Sequence, residues 1–237
     1  MKFPRYRIFW LKTWKAQQIY MFLWMLMLKR ATIGTRHINY RKKKHMIIGI
    51  IGGVGSGKST VLDYLEEKYN ANIIKSDLVA KDIMTPGHKV YHKVLSTFPE
   101  VNDNGNIDRT KLAEIVFNDK DKLDLLNSIT HPGTIDEINR LIDISKSDVT
   151  VVESAILIGS GIEKRCHELW FVYCEREERI RRLISSRGYS RQKAIDIINS
   201  QPDDDEYNFY ADEYIDNSST PSSTMEQIDL IMNREIC

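Results

Sequence analysis

The distribution of apolar residues changes character at Met46. Beyond it, short and nearly continuous apolar runs alternate with stretches in which apolar residues recur every three or four positions. The runs Met46 to Ile51 (MIIGII), Ala71 to Ile74, Val149 to Val152 and Leu169 to Cys174 have the pattern of strands buried on both faces of a parallel sheet. Between the first two, Ser59 to Tyr69 places Val61, Leu62 and Leu65 on one side and Asp63, Glu66 and Glu67 on the other, as an amphipathic helix does. After the second run come a turn-rich patch, Asn102 to Asp108 (NDNGNID), and helical periodicity through Ile115, Leu123, Leu126 and Ile138. That combination predicts a helical insertion over about 85–145 beside the sheet. Near the end, Asn217 to Thr224 reads as a polar loop. Thr224 with Gln227 has the capping-box spacing for a last helix carrying Met225, Ile228, Leu230 and Ile231.

Residues 1–45 do not share this alternation. Their one apolar run, Ile19 to Leu28, is ten residues long. A membrane-spanning helix needs roughly 20, so no stable membrane insertion is expected. Charge separates the same two segments. The whole chain of 237 residues carries 34 Lys+Arg and 33 Asp+Glu, for a net charge of +1. Residues 1–45 hold twelve of the basic residues and no acid, leaving 22 basic and 33 acidic side chains in the rest. The near-neutral total therefore describes neither segment, and 1–45 reads as a basic extension outside the fold that begins at 46. The basic cluster Arg41 to Lys44 is too short to predict nucleic-acid binding. At 42% hydrophobic and 28% charged, the chain falls outside the disordered and fibrous classes. Three cysteines (Cys166, Cys174 and Cys237) without a CxxC pair predict neither a disulfide framework nor a zinc site.

The segment Gly52-Gly53-Val54-Gly55-Ser56-Gly57-Lys58-Ser59-Thr60 satisfies GxxxxGK[ST], with an apolar strand before it and an amphipathic helix after it. A polyphosphate needs convergent N–H donors at close range, and glycines let the backbone curl round the anion without a Cβ in the way. The following helix adds its unpaired N-terminal amides and the positive end of its dipole. In such a loop Lys58 bridges the β- and γ-phosphates and the Ser59 hydroxyl is placed to ligate Mg²⁺. Nucleoside triphosphate binding at Gly52 to Thr60 follows. A GTPase would show Asn-Lys-x-Asp, and Asn118-Asp119-Lys120-Asp121 has that composition in the wrong order. A small-molecule kinase fits the size better. Asp77, 19 residues after Lys58 and at the end of the second strand, is then the candidate to accept the proton of an attacking hydroxyl. It also suits an N-cap of the helical stretch Leu78 to Met84. Glu153, at the end of the third strand, is a second carboxylate at that edge.

The stretch Ile48 to Thr60 closely resembles the opening of dephospho-CoA kinases. The likeness continues at Ser76-Asp77 with Ala80, at His131-Pro132, Arg182, Arg187 and Gln201, and at Ala211-Asp212 followed by Ile215-Asp216-Asn217. It covers 46–237 and none of 1–45. The resemblance implies a P-loop NTPase-type three-layer α/β fold with a parallel sheet, a helical substrate-binding insertion and a lid over about 176–210. The implied reaction is ATP-dependent phosphorylation of the ribose 3′-hydroxyl of dephospho-CoA, with Mg²⁺, in the cytoplasm. By position Asp77 matches the family's proposed base, and Arg182 and Arg187 fall in the lid helix, where guanidinium groups neutralise transferring phosphate. Arg182 is thus a candidate for nucleotide binding, and Arg187 joins Asp77 and Lys58 as a candidate catalytic group. The crowd of arginines there (Arg176, Arg179, Arg181, Arg182, Arg187) equally suits a solvated basic face. Two departures from the family pattern stand out. The acid-small-acid triplet ending the second strand reads Lys75-Ser76-Asp77, and the Pro-Leu-Leu stretch after the third strand reads Ala155-Ile156-Leu157. Another small acceptor, such as a nucleoside monophosphate, and a non-catalytic nucleotide switch are the competing expectations.

Overall fold

The computed structural model describes residues 45–117 and 119–236. Residues 1–44, with the apolar run and the basic cluster, lie outside the described residues. Five parallel strands form the central sheet: β1 (Met46–Ile51), β2 (Asn72–Lys75), β5 (Val149–Glu153), β6 (Glu168–Tyr173) and β7 (Glu213–Asp216), in the order β2-β5-β1-β6-β7. Strands β3 (Asn102–Asp103) and β4 (Asn106–Ile107) form a separate antiparallel hairpin. The helices are α1 (Lys58–Tyr69), α2 (Ser76–Asp82), α3 (Lys89–Thr97), α4 (Arg109–Phe117), α5 (Lys120–Ile144), α6 (Arg176–Arg187), α7 (Arg191–Asn199), α8 (Asp204–Tyr210) and α9 (Pro221–Ile236).

Side chains alternate across the sheet, and both faces are covered. On one, Ile48, Ile50, Val151, Trp170, Val172 and Ile215 pack with Val61 and Leu65 of α1 and Ile228 and Met232 of α9. On the other, Ile47, Ile51, Ile74, Val152 and Phe171 pack with Val79 of α2 and Ile138 and Ile142 of α5. This double burial is why the strands read as apolar runs, and the three-layer α/β class implied by the resemblance is the class observed. The four strands legible in the sequence lie within one residue of their expected ends.

A satellite core of Val94, Phe98, Val101, Leu112, Val116 and Ile129 joins α3, α4 and the middle of α5 beside the sheet. The turn-rich patch becomes the β3–β4 hairpin, whose two central residues, Asn104 and Gly105, have φ of 50° and 84°, the backbone a two-residue I′ turn requires. Helix α5 runs through His131-Pro132 without breaking, and His131 is half-buried within it.

Three features were not anticipated. Strand β7 adds a fifth, edge strand, and the last helix begins at Pro221 rather than at Thr224. Thr224 is buried inside that helix and donates to Asn217 Oδ1 at 2.8 Å. It is Thr220 that caps, its Oγ1 accepting from Ser223 N at 3.3 Å, while Gln227 reaches back to the backbone of Asp216. Finally, His45, expected to belong to the extension, donates through Nδ1 to Ser147 O at 2.6 Å, so the described fold includes it. No helix among the described residues is long and apolar enough to cross a membrane.

Candidate active site

The carboxyl ends of β1, β2 and β5 meet at one edge of the sheet, beside the point where the chain departs from β1 to either side, the position at which open α/β sheets take ligands. A cleft of about 970 Å³ lies there. Gly52, Val54, Gly55, Gly57, Lys58, Ser59 and Thr60 line it from the turn between β1 and α1; Asp77, Glu153, Arg182 and Arg187 line it too. The structure thus brings the candidates from four separate elements to one cavity. Gly53 and Ser56, also in the motif, are buried behind it. His131 does not line it.

Lys58 sits in the first position of α1, and its side chain turns back over the loop. Nζ donates to Gly52 O at 2.9 Å and Gly53 O at 3.2 Å and lies 3.9 Å from Glu153 Oε1. Burial pushes the Lys58 pKa below its ordinary value, and the Glu153 carboxylate opposes that shift while Arg179 and Arg187 add to it. Burial likewise raises the Glu153 pKa, with Lys58 opposing. The two groups therefore support each other's charge in a partly desolvated place. Lys75, in register beside Glu153 across the β2–β5 pairing, adds a further cation to that edge.

Asp77 differs from these. It lies within the first turn of α2, whose N-cap is Lys75, so it does not cap that helix. The side chain is exposed and makes no hydrogen bond or ion pair among the described residues. A carboxylate in a first helical turn faces the positive end of the helix dipole, and this one lines the cleft without a bonding partner among the described residues. Ser59 is similarly exposed, with its hydroxyl unengaged among the described residues. Arg187, at the last residue of α6, is also exposed and unpaired among the described residues.

The arginine crowd resolves into distinct environments. Arg176 donates to Asn199, Arg181 pairs with Glu178, and both are exposed. Arg182 donates to Glu178, to Ser56 O and to Asn217 O. Arg179 is 4% exposed, with Nε donating to Val54 O at 3.0 Å and the rest of its guanidinium facing Asp204 and Gln201. Gln201 in turn accepts from Val54 N at 2.7 Å, and the Val54 side chain packs on the core shared by α6 and α7. Sequence reasoning missed Arg179 because a buried arginine in an arginine-rich helix leaves no mark in the pattern; the usable signal was that it faces inward with Ile180 and Leu183. The run Asp203 to Glu206 forms the start of α8, where Asp203 caps Glu206 N and Asp204 meets Arg179, and no metal-binding cluster of His, Cys, Asp and Glu occurs among the described residues.

The dephospho-CoA kinase family model matches residues 46–222. The chain belongs to the dephospho-CoA kinase family. A dephospho-CoA kinase from Carboxydothermus hydrogenoformans is 42% identical over 193 residues, covering 79% of this chain and 93% of that protein. One from Fusobacterium nucleatum is 38% identical, covering 78% and 95%. Among solved structures, TT1252 from Thermus thermophilus superimposes with a TM-score of 0.70 at 27% identity, over 82% of this chain and 100% of that one. The dephospho-CoA kinase from Campylobacter jejuni (TM-score 0.57, 22% identity, 81% and 98% covered) shares the fold. The family match begins at Met46, the first residue of β1, so the loop and all the cleft residues fall inside it.

Proposed function

We infer that this protein transfers the γ-phosphate of ATP to the ribose 3′-hydroxyl of dephospho-CoA, forming coenzyme A. The observation that carries this reading is the family match over residues 46–222, which contains the whole central sheet and every cleft residue. Nucleotide use is common to the family. The individual roles rest on the geometry.

ATP lies with its phosphates against Gly52 to Thr60, where the loop amides, the α1 N-terminus and the Lys58 ammonium supply positive potential. Asp77 accepts the proton as the 3′-oxygen forms its bond to the γ-phosphorus, the β–γ bridging bond breaks, and ADP leaves. Arg187, unpaired at the end of α6, meets the transferring charge from a helix that Arg179 and Arg182 already hold against the loop. Arg182 contacts the nucleotide side of the same cleft. The exposed Ser59 hydroxyl, with the Glu153 carboxylate in the same cavity, forms the oxygen donor set that suits Mg²⁺. When bound, that ion neutralises charge on the phosphates. We place the reaction in the cytoplasm, where ATP is abundant, and assign the body from residue 45 as the kinase and 1–44 as an appended extension.

A coupled assay of ADP release with a panel of acceptors tests the assignment. Turnover with dephospho-CoA is expected to exceed that with AMP or water by orders of magnitude, and equal rates with all three would overturn it.

A further inference from the structure

Two carbonyls of the phosphate loop are held from outside. Arg179 Nε donates to Val54 O at 3.0 Å. Asn217 Nδ2 donates to Ser56 O at 2.7 Å, and Arg182 Nη1 adds a second donor to the same oxygen at 3.3 Å. A peptide group is planar and trans, so its C=O and N–H point in opposite directions. Val54 O shares a peptide with the Gly55 amide, and Ser56 O shares one with the Gly57 amide. Fixing these two carbonyls on the clamp therefore turns both amides away from it. Neither amide donates a hydrogen bond within the described residues.

The side chains that do this are themselves locked. Asn217 is 4% exposed; its N–H donates to Tyr173 O at 2.9 Å at the end of β6, and its Oδ1 accepts from Thr224 of α9, which fixes Nδ2 as the atom facing Ser56. Arg182 is tied to Asn217 O at 2.8 Å and to Glu178. The clamp also dictates residue choice in the loop. A Cβ on Gly57, whose φ is +86°, would come within 2.1 Å of Asn217 Nδ2, and one on Gly53 within 2.0 Å of Arg179 Nη2. These two glycines are required by the close approach of the clamp as well as by the anion.

We propose that Arg179, Arg182 and Asn217 are positioning residues, a carbonyl clamp that aims the Gly55 and Gly57 amides at the phosphates of the nucleotide before it arrives, with Thr224 of the last helix orienting Asn217. The proposal rests on the reading that the loop binds ATP phosphates. Preformed donors need no reorganisation on binding, so loosening the clamp weakens the phosphate contacts specifically.

Calorimetric titration of the full chain with ATP and, separately, with inorganic tripolyphosphate tests this. Asn217→Ala is expected to weaken both ligands by a similar factor, about tenfold for the loss of a buried hydrogen bond, while KM for dephospho-CoA is unchanged. Thr224→Val, which keeps Asn217 and removes only the donor that orients it, is expected to weaken both ligands less, and Thr224→Ser to restore them. This second pair keeps the test decisive if Asn217→Ala does not fold. Loss of ATP affinity with tripolyphosphate unaffected would assign Asn217 to the base rather than to the loop and overturn the clamp; so would unchanged binding of both in Asn217→Ala and Thr224→Val. A wild-type chain that binds neither ligand would instead remove the ATP reading on which the clamp depends.

Discussion

Two parts of the cleft are built differently. On the loop wall, Lys58 is bonded to Gly52 O and Gly53 O, Val54 is bonded at both its N–H and its C=O, and Ser56 O accepts from two side chains. Elsewhere around the cleft, Asp77 and Arg187 stand exposed without a bonding partner among the described residues. A site for a triphosphate profits from rigidity, because its donors must converge on a fixed anion before binding. A base and a charge-neutralising arginine act only when acceptor and donor are both present, and leaving them unpaired avoids breaking a bond at that moment. The contrast teaches that nucleotide affinity and turnover should separate on mutation.

The largest effect is expected where one residue serves both functions. Lys58→Ala removes the cation lying over the loop and should reduce turnover by about a thousandfold while also weakening ATP binding in a direct titration. Asp77→Asn should come next, lowering kcat by about a hundredfold or more and leaving the ATP dissociation constant as in wild type. That outcome is the sharpest form of the comparison, since a matching loss of ATP affinity would mean the two parts are not independent. Arg187→Ala should lower kcat by about tenfold to a hundredfold, with ATP affinity again retained and Arg187→Lys recovering part of the rate.

The same contrast explains what the sequence disclosed. The loop wall was legible because its chemistry demands a fixed spacing of glycines, Lys58 and Ser59 between a buried strand and a helix, and because strands covered on both faces must be apolar throughout. Asp77 was legible by place, at the end of the second such run. The clamp was not. Asn217 lies in a polar stretch that reads as loop, and its partner Thr224 stood at the spacing of a capping box, so a buried hydrogen bond between them looked like a helix start. Arg179 was hidden among neighbouring arginines that really are exposed. Strand β7 escaped because four residues (EYID) at a sheet edge, with Tyr214 45% exposed, cannot form an apolar run. Each miss involves a residue defined by what it touches across the fold, with sequence separations of 125 between Arg179 and Val54 and 161 between Asn217 and Ser56.

The smallest predicted effect marks where the site ends. On the sheet face formed by α1 and α9, Asp229 accepts from Tyr64 at 2.9 Å, Tyr69 at 2.7 Å and Lys68 at 2.7 Å. Burial alone would raise the Asp229 pKa, but the hydrogen bonds from Lys68, Tyr69 and Tyr64 outweigh it and hold the carboxyl below its ordinary 3.8. Because the folded value is the depressed one, this contribution to stability is present above the unfolded value and is lost as pH falls through the folded one. Asp229→Ala should therefore lower unfolding stability by about 1–2 kcal/mol at neutral pH, with the deficit relative to wild type shrinking in acid, as denaturant titrations at several pH values would measure. Kinetic constants for both substrates should stay at wild-type values, because the clamp on Asn217 is carried by Thr224, five residues earlier on the same helix. A fall in ATP affinity in this variant would show that α9 transmits strain to the phosphate loop along its length, and that the rigid wall extends to the far side of α1.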